Sequence, residues 1–416
     1  MEQFTGWQYL LIDAANNFGL DKEVFETRIQ WATDNLDRLE ALAEEADNVP
    51  RYTKSVLAIR RALRGEAIGH LVGFDACCSG LQIMSTLTGC EKGAAATGLI
   101  NPTVRADAYT IVTDVMNSKL ANQGLSVQVS RKSAKSAVMT VFYGSKAQPK
   151  AIFGEETEEL KSFYLSVQEV APGAYELLHE LLDSWQPFAL SHDWVLPDNY
   201  HAHVKVMEKV EKRLEVDELN HATFTYEYFE NEGSESGLSN VANVVHSIDA
   251  YVLRSLIRRC NYDRAVVESV QDMILEEALV RDLGLARTSH EPDATFARYL
   301  ERMNATNMVD PVILSHLTPT NLQYLSDSQF KRLTQLVSGM LAYQPFEIVS
   351  VHDEFQCHPN NMNHLRQQYI NIFAELADSE ILSDILSQIH GVQGGSYTKI
   401  SSGLSQSIRQ SNYAIC

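Results

Sequence analysis

The chain has 416 residues, 45% of them hydrophobic, which is enough for a sizeable core and two or three subdomains. Its cysteines, at 77, 78, 90, 260, 357 and 416, form neither a C-x-x-C pair nor a regular framework, and no apolar run reaches the ~18 residues of a membrane span; a reduced, soluble, cytoplasmic protein is expected. The net charge of −20 works against indiscriminate nucleic-acid binding and leaves only local charge at a cleft to carry it.

In chain order, residues 1–66 read as helices, with apolar residues at helical spacing over 24–46 and a short basic patch at Arg60, Arg61 and Arg64. In LVGFDACCSGLQ, 71–82, an apolar run delivers Asp75 to the end of a strand, and a turn of small residues follows. A Gly/Ala-rich bend is expected at 89–98 and a helix from about 102 to 120, carrying Asp107 and Tyr109. A turn at 122–124 follows. Residues 155–190 are helical again, and 197–235 read as two alternating strands joined near 216–220. Four Lys/Arg against nine Asp/Glu over 205–235 make that hairpin a poor reader of DNA. His201 and His203 have no third ligand in view and read as exposed strand histidines. Residues 262–340 are helices broken at Gly284, Pro292, Pro311 and Pro319. FEIVSVHDEFQCHP, 346–359, is a tight hairpin with His352, Asp353 and Glu354 at its tip. Residues 391–416 are Gly/Ser-rich and close on Tyr-Ala-Ile-Cys.

The stretch SRKSAKSAVMTVFYG, 130–144, carries the chemistry. Ser130 can cap a helix that Gly144 ends in the left-handed conformation. Steps of four from Arg131 through Lys135 and Met139 to Tyr143 keep these side chains within an arc of roughly 120°. Two cations, a flexible apolar residue and an aromatic hydroxyl on one face suit a nucleoside triphosphate, with phosphates at Arg131 and Lys135 and base and sugar near Tyr143. An amphipathic surface helix with snorkelling cations is the alternative for this helix alone. Asp75 and Asp353, each at a strand end opposite such a helix, would form a two-metal phosphoryl-transfer site.

D-x-x-C-S-G-x-Q at 75–82, R-x-x-x-K-x-x-x-M-T-x-x-Y-G at 131–144 and V-H-D-x-F at 351–355 resemble, in that order, motifs A, B and C of the single-subunit RNA polymerases of phage and mitochondrial type. V-H-S-x-D at 245–249 is a fourth match, and weaker ones lie at 6–22, at Asp107 and Tyr109, and at 192–198. The resemblance implies an α+β, mainly helical fold: a right-hand polymerase palm and fingers with a small antiparallel palm sheet. Palm with N-terminal helices and motif A would take 1–120, and fingers with the motif B helix 121–190. A specificity-hairpin-like and template-contacting region would take 191–260, a helical insertion 261–342, and the motif C hairpin and tail 343–416.

The roles implied are specific. Asp75 and Asp353, with the carbonyl of Ala76, would hold two Mg2+ ions. Lys135 would hold the triphosphate and serve the leaving pyrophosphate, and Arg131 would bind the outer phosphates. Met139 would pack near the base, and Tyr143 would close over it and sense its sugar. His246 would touch the hybrid, Tyr109 the template; Gly144 either admits the template backbone or only caps its helix. Gly80 stands where related DNA polymerases carry a glutamate that blocks a 2′-hydroxyl, which favours ribonucleotides. Glu354 replaces a usual serine, Ala250 a usual glycine, and Ser136 stands where a cation can occur. The partners implied are a DNA template, nascent RNA and ribonucleoside triphosphates. The match begins at Gly6 and Trp7, so a second, smaller subunit carrying the thumb and promoter-binding part is expected, as in two-subunit phage enzymes. Such an enzyme would work in the host cytoplasm. An HD-type metal phosphohydrolase using His192-Asp193, His201 and His352-Asp353, and an inactive polymerase-like scaffold, are the competing readings.

Overall fold

The computed structural model describes residues 1–231, 238–287, 291–392 and 396–416. It is mainly helical with small antiparallel sheets, an α+β fold. Its strands are β1 (Val72–Asp75), β2 (Ser191–Val195), β3 (His201–Lys205), β4 (Glu208–Val216), β5 (Ala222–Glu230), β6 (Val349–Val351) and β7 (Glu354–Cys357).

The three-stranded sheet runs β1-β7-β6, with Asp75 opposite Glu354 and Val72 opposite Cys357. Alternation along the strands sorts its two faces. Val72, Phe74, Phe355 and Cys357 point into the core, while Gly73, Asp75, Glu354 and Gln356 line an open cleft. Beneath the sheet, Phe74 stacks on Phe25, which stacks on Tyr413, with ring centroids 5.7 and 4.8 Å apart. Arg366 is buried among these rings, 4.8 Å from the Phe25 centroid, and donates to the Tyr9 hydroxyl and the Asn412 carbonyl, each at 2.8 Å. The segment 411–416 runs along the free edge of β1: Ile415 bridges Ala76, and the Cys416 N–H donates to the Asp75 carbonyl at 3.2 Å.

The helix Ser79–Thr88 is buried along its whole length, and Gln82 in it bonds Thr97, Tyr369 and Ala414. Two local expectations need correction. The stretch 89–98 is not a plain bend: it contains the helix Glu91–Ala96, because its alanines favour helix and the left-handed glycines Gly89 and Gly98 only bracket it. The helix expected from 102 is Ala108–Asn122, starting where the Asp107 side chain accepts the Tyr109 N–H and supplies a cap that Pro102 lacks. Residues 155–190 form two helices, Glu158–Val170 and Pro172–Asp183, parted at the proline.

Helices Arg264–Asp282, Ala294–Thr306 and Asp327–Leu341 pack on an apolar cluster of their own around Ile274, Phe296, Met303 and Leu333. Ion pairs tie the long helix Leu238–Cys260 to its surroundings: Arg258 to buried Asp310 at 3.0 Å, and Arg259 to Glu375 at 2.5 Å. β4 and β5 form a two-stranded ribbon whose register separates its faces. Val210/Tyr228, Lys212/Tyr226 and Leu214/Phe224 pair on one side, Glu211/Glu227 and Glu215/Thr223 on the other. Glu208 and Glu230 share the face of the aromatic stripe, in which Phe224 and Tyr226 stay about half exposed, so the ribbon is acidic on both faces. All six cysteines are unpaired and buried, and no described helix is long and apolar enough to cross a membrane.

Candidate active site

The cleft is floored by the sheet. Val351 pairs with Glu354, so β6 and β7 are joined by a two-residue turn, His352-Asp353, with His352 in the left-handed conformation at φ 57°. The Asp353 carbonyl accepts the Ala76 N–H at 3.3 Å, which locks the hairpin tip to the end of β1 beside Asp75. Three acids, Asp75, Asp353 and Glu354, therefore reach one cleft of about 510 Å³. Protein packed behind the Asp75 carboxyl, then the charges of Asp353 and Glu354, push its pKa up to about 7, against the pull of the Ala76 N–H and Lys135. Its cleft side remains open to solvent. Glu354 is steadied from outside: Arg51 Nη1 reaches its two oxygens at 3.1 and 3.2 Å, and Gln356 Nε2 donates at 2.6 Å. Its carboxylate lies across Gly73, where a Cβ would come within 2.2 Å of Glu354 Oε1.

The opposite wall is the helix Arg131–Val141. Ser130 Oγ accepts the Ser133 N–H at 3.2 Å at its start, and Gly144, at φ 87°, ends it. Ala134, Ala137, Val138 and Val141 bury one side, leaving Arg131, Lys135 and Met139 to line the cleft. Arg131 Nε donates to Asp107 Oδ2 at 2.6 Å and to Thr110 Oγ1 at 3.1 Å. Burial opposes ionisation of Asp107, but the bonds from Arg131 and Thr110 outweigh it and hold the carboxyl below the usual range. Arg131 and Lys135 both sit over the Tyr109 ring, 5.6 and 5.5 Å from its centroid. Tyr109, only 8% exposed, is thus a platform under the two cations. Lys135 is solvent-exposed and makes no ion pair among the described residues, so its charge faces the acids across the cleft.

Tyr143 sits one turn further on. Its ring stacks on His246 with centroids 4.6 Å apart, and its hydroxyl lies 3.1 Å from Ser79 Oγ. Burial pushes the phenol pKa up and that of His246 down. A Cβ on Gly80 would meet Tyr143 Cε2 at 2.9 Å, so the missing side chain at 80 seats this ring as well as leaving space near a sugar.

Sequence reasoning did not find several cleft residues. Asp13 takes hydrogen bonds from Ser55 Oγ at 2.5 Å and His70 Nε2 at 2.7 Å; the signal was an acid inside the apolar run LLIDAA. Arg51 carried no signal, being 303 residues from Glu354. Asp249, already picked out by the V-H-S-x-D match, is held up to about 6, first by burial and then by Asp353. The two His-Asp pairs of the phosphohydrolase reading lie in different sheets. His192 is buried with Nε2 accepting the Gln186 N–H, and Asp193 pairs with exposed His203, so they cannot serve one site with His352 and Asp353.

A cleft with acids on two adjacent strand ends facing a cationic helix can hold divalent cations on one wall and an anionic ligand on the other. Residues 62–163 match a family model described as DNA-dependent RNA polymerase, a span that includes Asp75, Gly80, Tyr109, Arg131, Lys135 and Tyr143. The chain is also 32% identical over 132 residues to a DNA-directed RNA polymerase of Pseudomonas phage phiKMV. That alignment takes in 28% of this chain and 16% of the relative's length. Over this segment the chain is similar to DNA-dependent RNA polymerases, and it spans about a sixth of the length of the phage relative it matches. Asp353 and His246 lie outside that segment and are joined to it by the fold.

Proposed function

We propose that this chain is the catalytic part of a DNA-directed RNA polymerase, transferring nucleotides from ribonucleoside triphosphates to an RNA 3′ end on a DNA template. The observation that carries the reading is the meeting of Asp75 and the Asp353 turn on adjacent strands, across one cleft from Arg131 and Lys135. The donor set fits magnesium: hard carboxylate oxygens, with an Asp75 proton affinity raised first by burial and then by neighbouring negative charge that a cation would relieve. Asp75, Asp353 and the Ala76 carbonyl would hold two such ions, which when bound supply charge neutralisation and an activated hydroxyl.

This chain's own residues do the rest. Lys135 holds the triphosphate and stands ready to protonate the leaving pyrophosphate. Arg131, fixed by Asp107 through Nε, offers its remaining N–H groups to the outer phosphates. Met139 packs beside the base, and Tyr143 closes over it. His246 and Gly144 face the hybrid, and Tyr109 supports the cations nearest the template.

In a right-hand arrangement the palm takes 1–120 and 343–416, the fingers 121–190, the hairpin and template-contacting region 191–260, and an insertion 261–342. A net charge of −20 is poorly suited to holding nucleic acid, so a second, smaller chain supplying cationic surface belongs to this reading, with the host cytoplasm as its place of work. Primer extension on a pre-formed RNA–DNA hybrid with Mg2+, with and without candidate partner chains, tests it. Template-directed addition of ribonucleotides supports it, and absence of addition under every partner condition, with a folded protein, rejects it.

A further inference from the structure

The strand register sets Glu354 directly opposite Asp75, and Gln356 opposite Gly73. The Glu354 carboxylate does not stay at its own level. It lies over Gly73, two residues back along β1, a step of about 6–7 Å away from the strand end. Arg51 and Gln356 hold it there: Arg51 Nη1 donates to both oxygens, at 3.2 and 3.1 Å, and Gln356 Nε2 donates to Oε1 at 2.6 Å. Gly73 makes the room, since a Cβ on it would sit 2.2 Å from Oε1.

Arg51 is not placed by the needs of its own helix. It stands in the first turn of the helix Val49–Leu63, capped by Asn48, where a cation opposes the helix dipole. Its side chain is half exposed, and an ion pair so open to water adds little to stability. What the pair does fix is position. Released, Glu354 would be a third acid beside Asp75 and Asp353. Mg2+ is small, keeps its waters and takes one or two carboxylates together with substrate phosphates, whereas Ca2+ takes more oxygens and accepts both oxygens of one carboxylate. A third acid therefore favours Ca2+.

We propose that Arg51, Gln356 and Gly73 form a holster that withholds Glu354 from the metal ions, keeping a two-acid site that selects Mg2+ over Ca2+. Arg51 is the positioning residue, acting on metal choice through Glu354. The proposal rests on Asp75 and Asp353 being the metal ligands of the polymerase reading.

Titration calorimetry of the full chain with Mg2+ alone and with Ca2+ alone tests it, with hybrid extension run beside. The proteins are wild type, Arg51→Ala, Gly73→Ala, Glu354→Gln, Asp353→Asn and the double Arg51→Ala/Glu354→Gln. Arg51→Ala should tighten Ca2+ binding by about tenfold and Mg2+ binding clearly less. Gly73→Ala expels the carboxylate while keeping every charge, so it should shift selectivity the same way, and it stands in if Arg51→Ala fails to fold. In the Glu354→Gln background, loss of Arg51 should leave the ratio of Ca2+ to Mg2+ affinity unchanged. Merely deleting a cation would tighten both ions alike and would do so without Glu354; that result, or unchanged Ca2+ affinity in Arg51→Ala, overturns the proposal and leaves the polymerase reading intact where wild type extends the hybrid. If Asp353→Asn binds like wild type, or no protein of the set binds either ion, the metal assignment and the proposal fall together. A Glu354-dependent gain of Ca2+ affinity in a chain that extends nothing upholds the proposal without the polymerase reading.

Discussion

Replacing Asp75 by Asn removes one charge and almost no volume, which separates the acid's chemical part from its structural one. In the metal-free protein the ionised carboxylate is an expense to the fold, because Asp75 has a pKa near 7 against an ordinary 3.8. A folded value above the unfolded one gives stability that is fully present below pH 4 and lost as pH rises through 7. Taken at face value, that difference is about 4 kcal/mol at pH 8. The carboxylate opens on a wet cleft, and solvent screening reduces this to roughly 1–2 kcal/mol. For a chain of this length that is a melting-temperature rise of roughly 1–2 °C for Asp75→Asn over wild type at pH 8, shrinking to nothing near pH 4. Adding Mg2+ should reverse the order, since only wild type has both acids to gain from it. Extension of a primed hybrid should fall by orders of magnitude. Scanning calorimetry at several pH values, with and without Mg2+, beside the extension assay, reads all three effects. An Asp75→Asn protein that extends near-normally, or that melts below wild type at pH 8 without metal, refutes the reasoning.

Lys135→Ala should cut extension by about a hundredfold or more, mostly in kcat, while leaving the melting temperature within a degree, because the side chain is exposed and makes no ion pair among the described residues; a large melting change would mean it supports the fold instead. Glu354→Gln removes a charge that raises the Asp75 pKa, so the acidic limb of the extension–pH profile should move to lower pH; a shift to higher pH would show that Glu354 acts in another way. Arg366→Leu strips bonds from Tyr9 and Asn412 under the sheet and should cost about 3 kcal/mol in urea denaturation, and an unchanged midpoint would contradict the packing described.

The parts legible in sequence were those set by short-range rules. The 130–144 helix declares its cap, its terminating glycine and its cationic face within fifteen letters, and the 346–359 hairpin declares its alternation and its acidic tip. The register of β1 against β7 has no such local signature, though it decides that Asp75 faces Glu354. Arg51 joins the cleft only through tertiary packing. Gly80 shows the difference most directly: its letter suggested room for a sugar hydroxyl, and the fold adds the flank of Tyr143 as a second reason for the same absence. The 108–122 helix starts later than 102 because its cap is the Asp107 side chain, a choice that the sequence around Pro102 does not declare.

The backbone of β1 is gripped on both edges, by β7 from 279 residues further along the chain and by the strip at 411–416, where Ile415 meets Ala76. Such distant partners make the cleft a late product of folding, since long loops must close before its floor exists. On a ribosome, a nascent chain would carry the cationic helix and the Asp75 segment for most of its synthesis without an organised metal site. Chemistry would switch on only after the Tyr413 region emerges and docks beside Phe25. Nascent chains that have not yet reached 411–416 would lack this edge of the cleft floor.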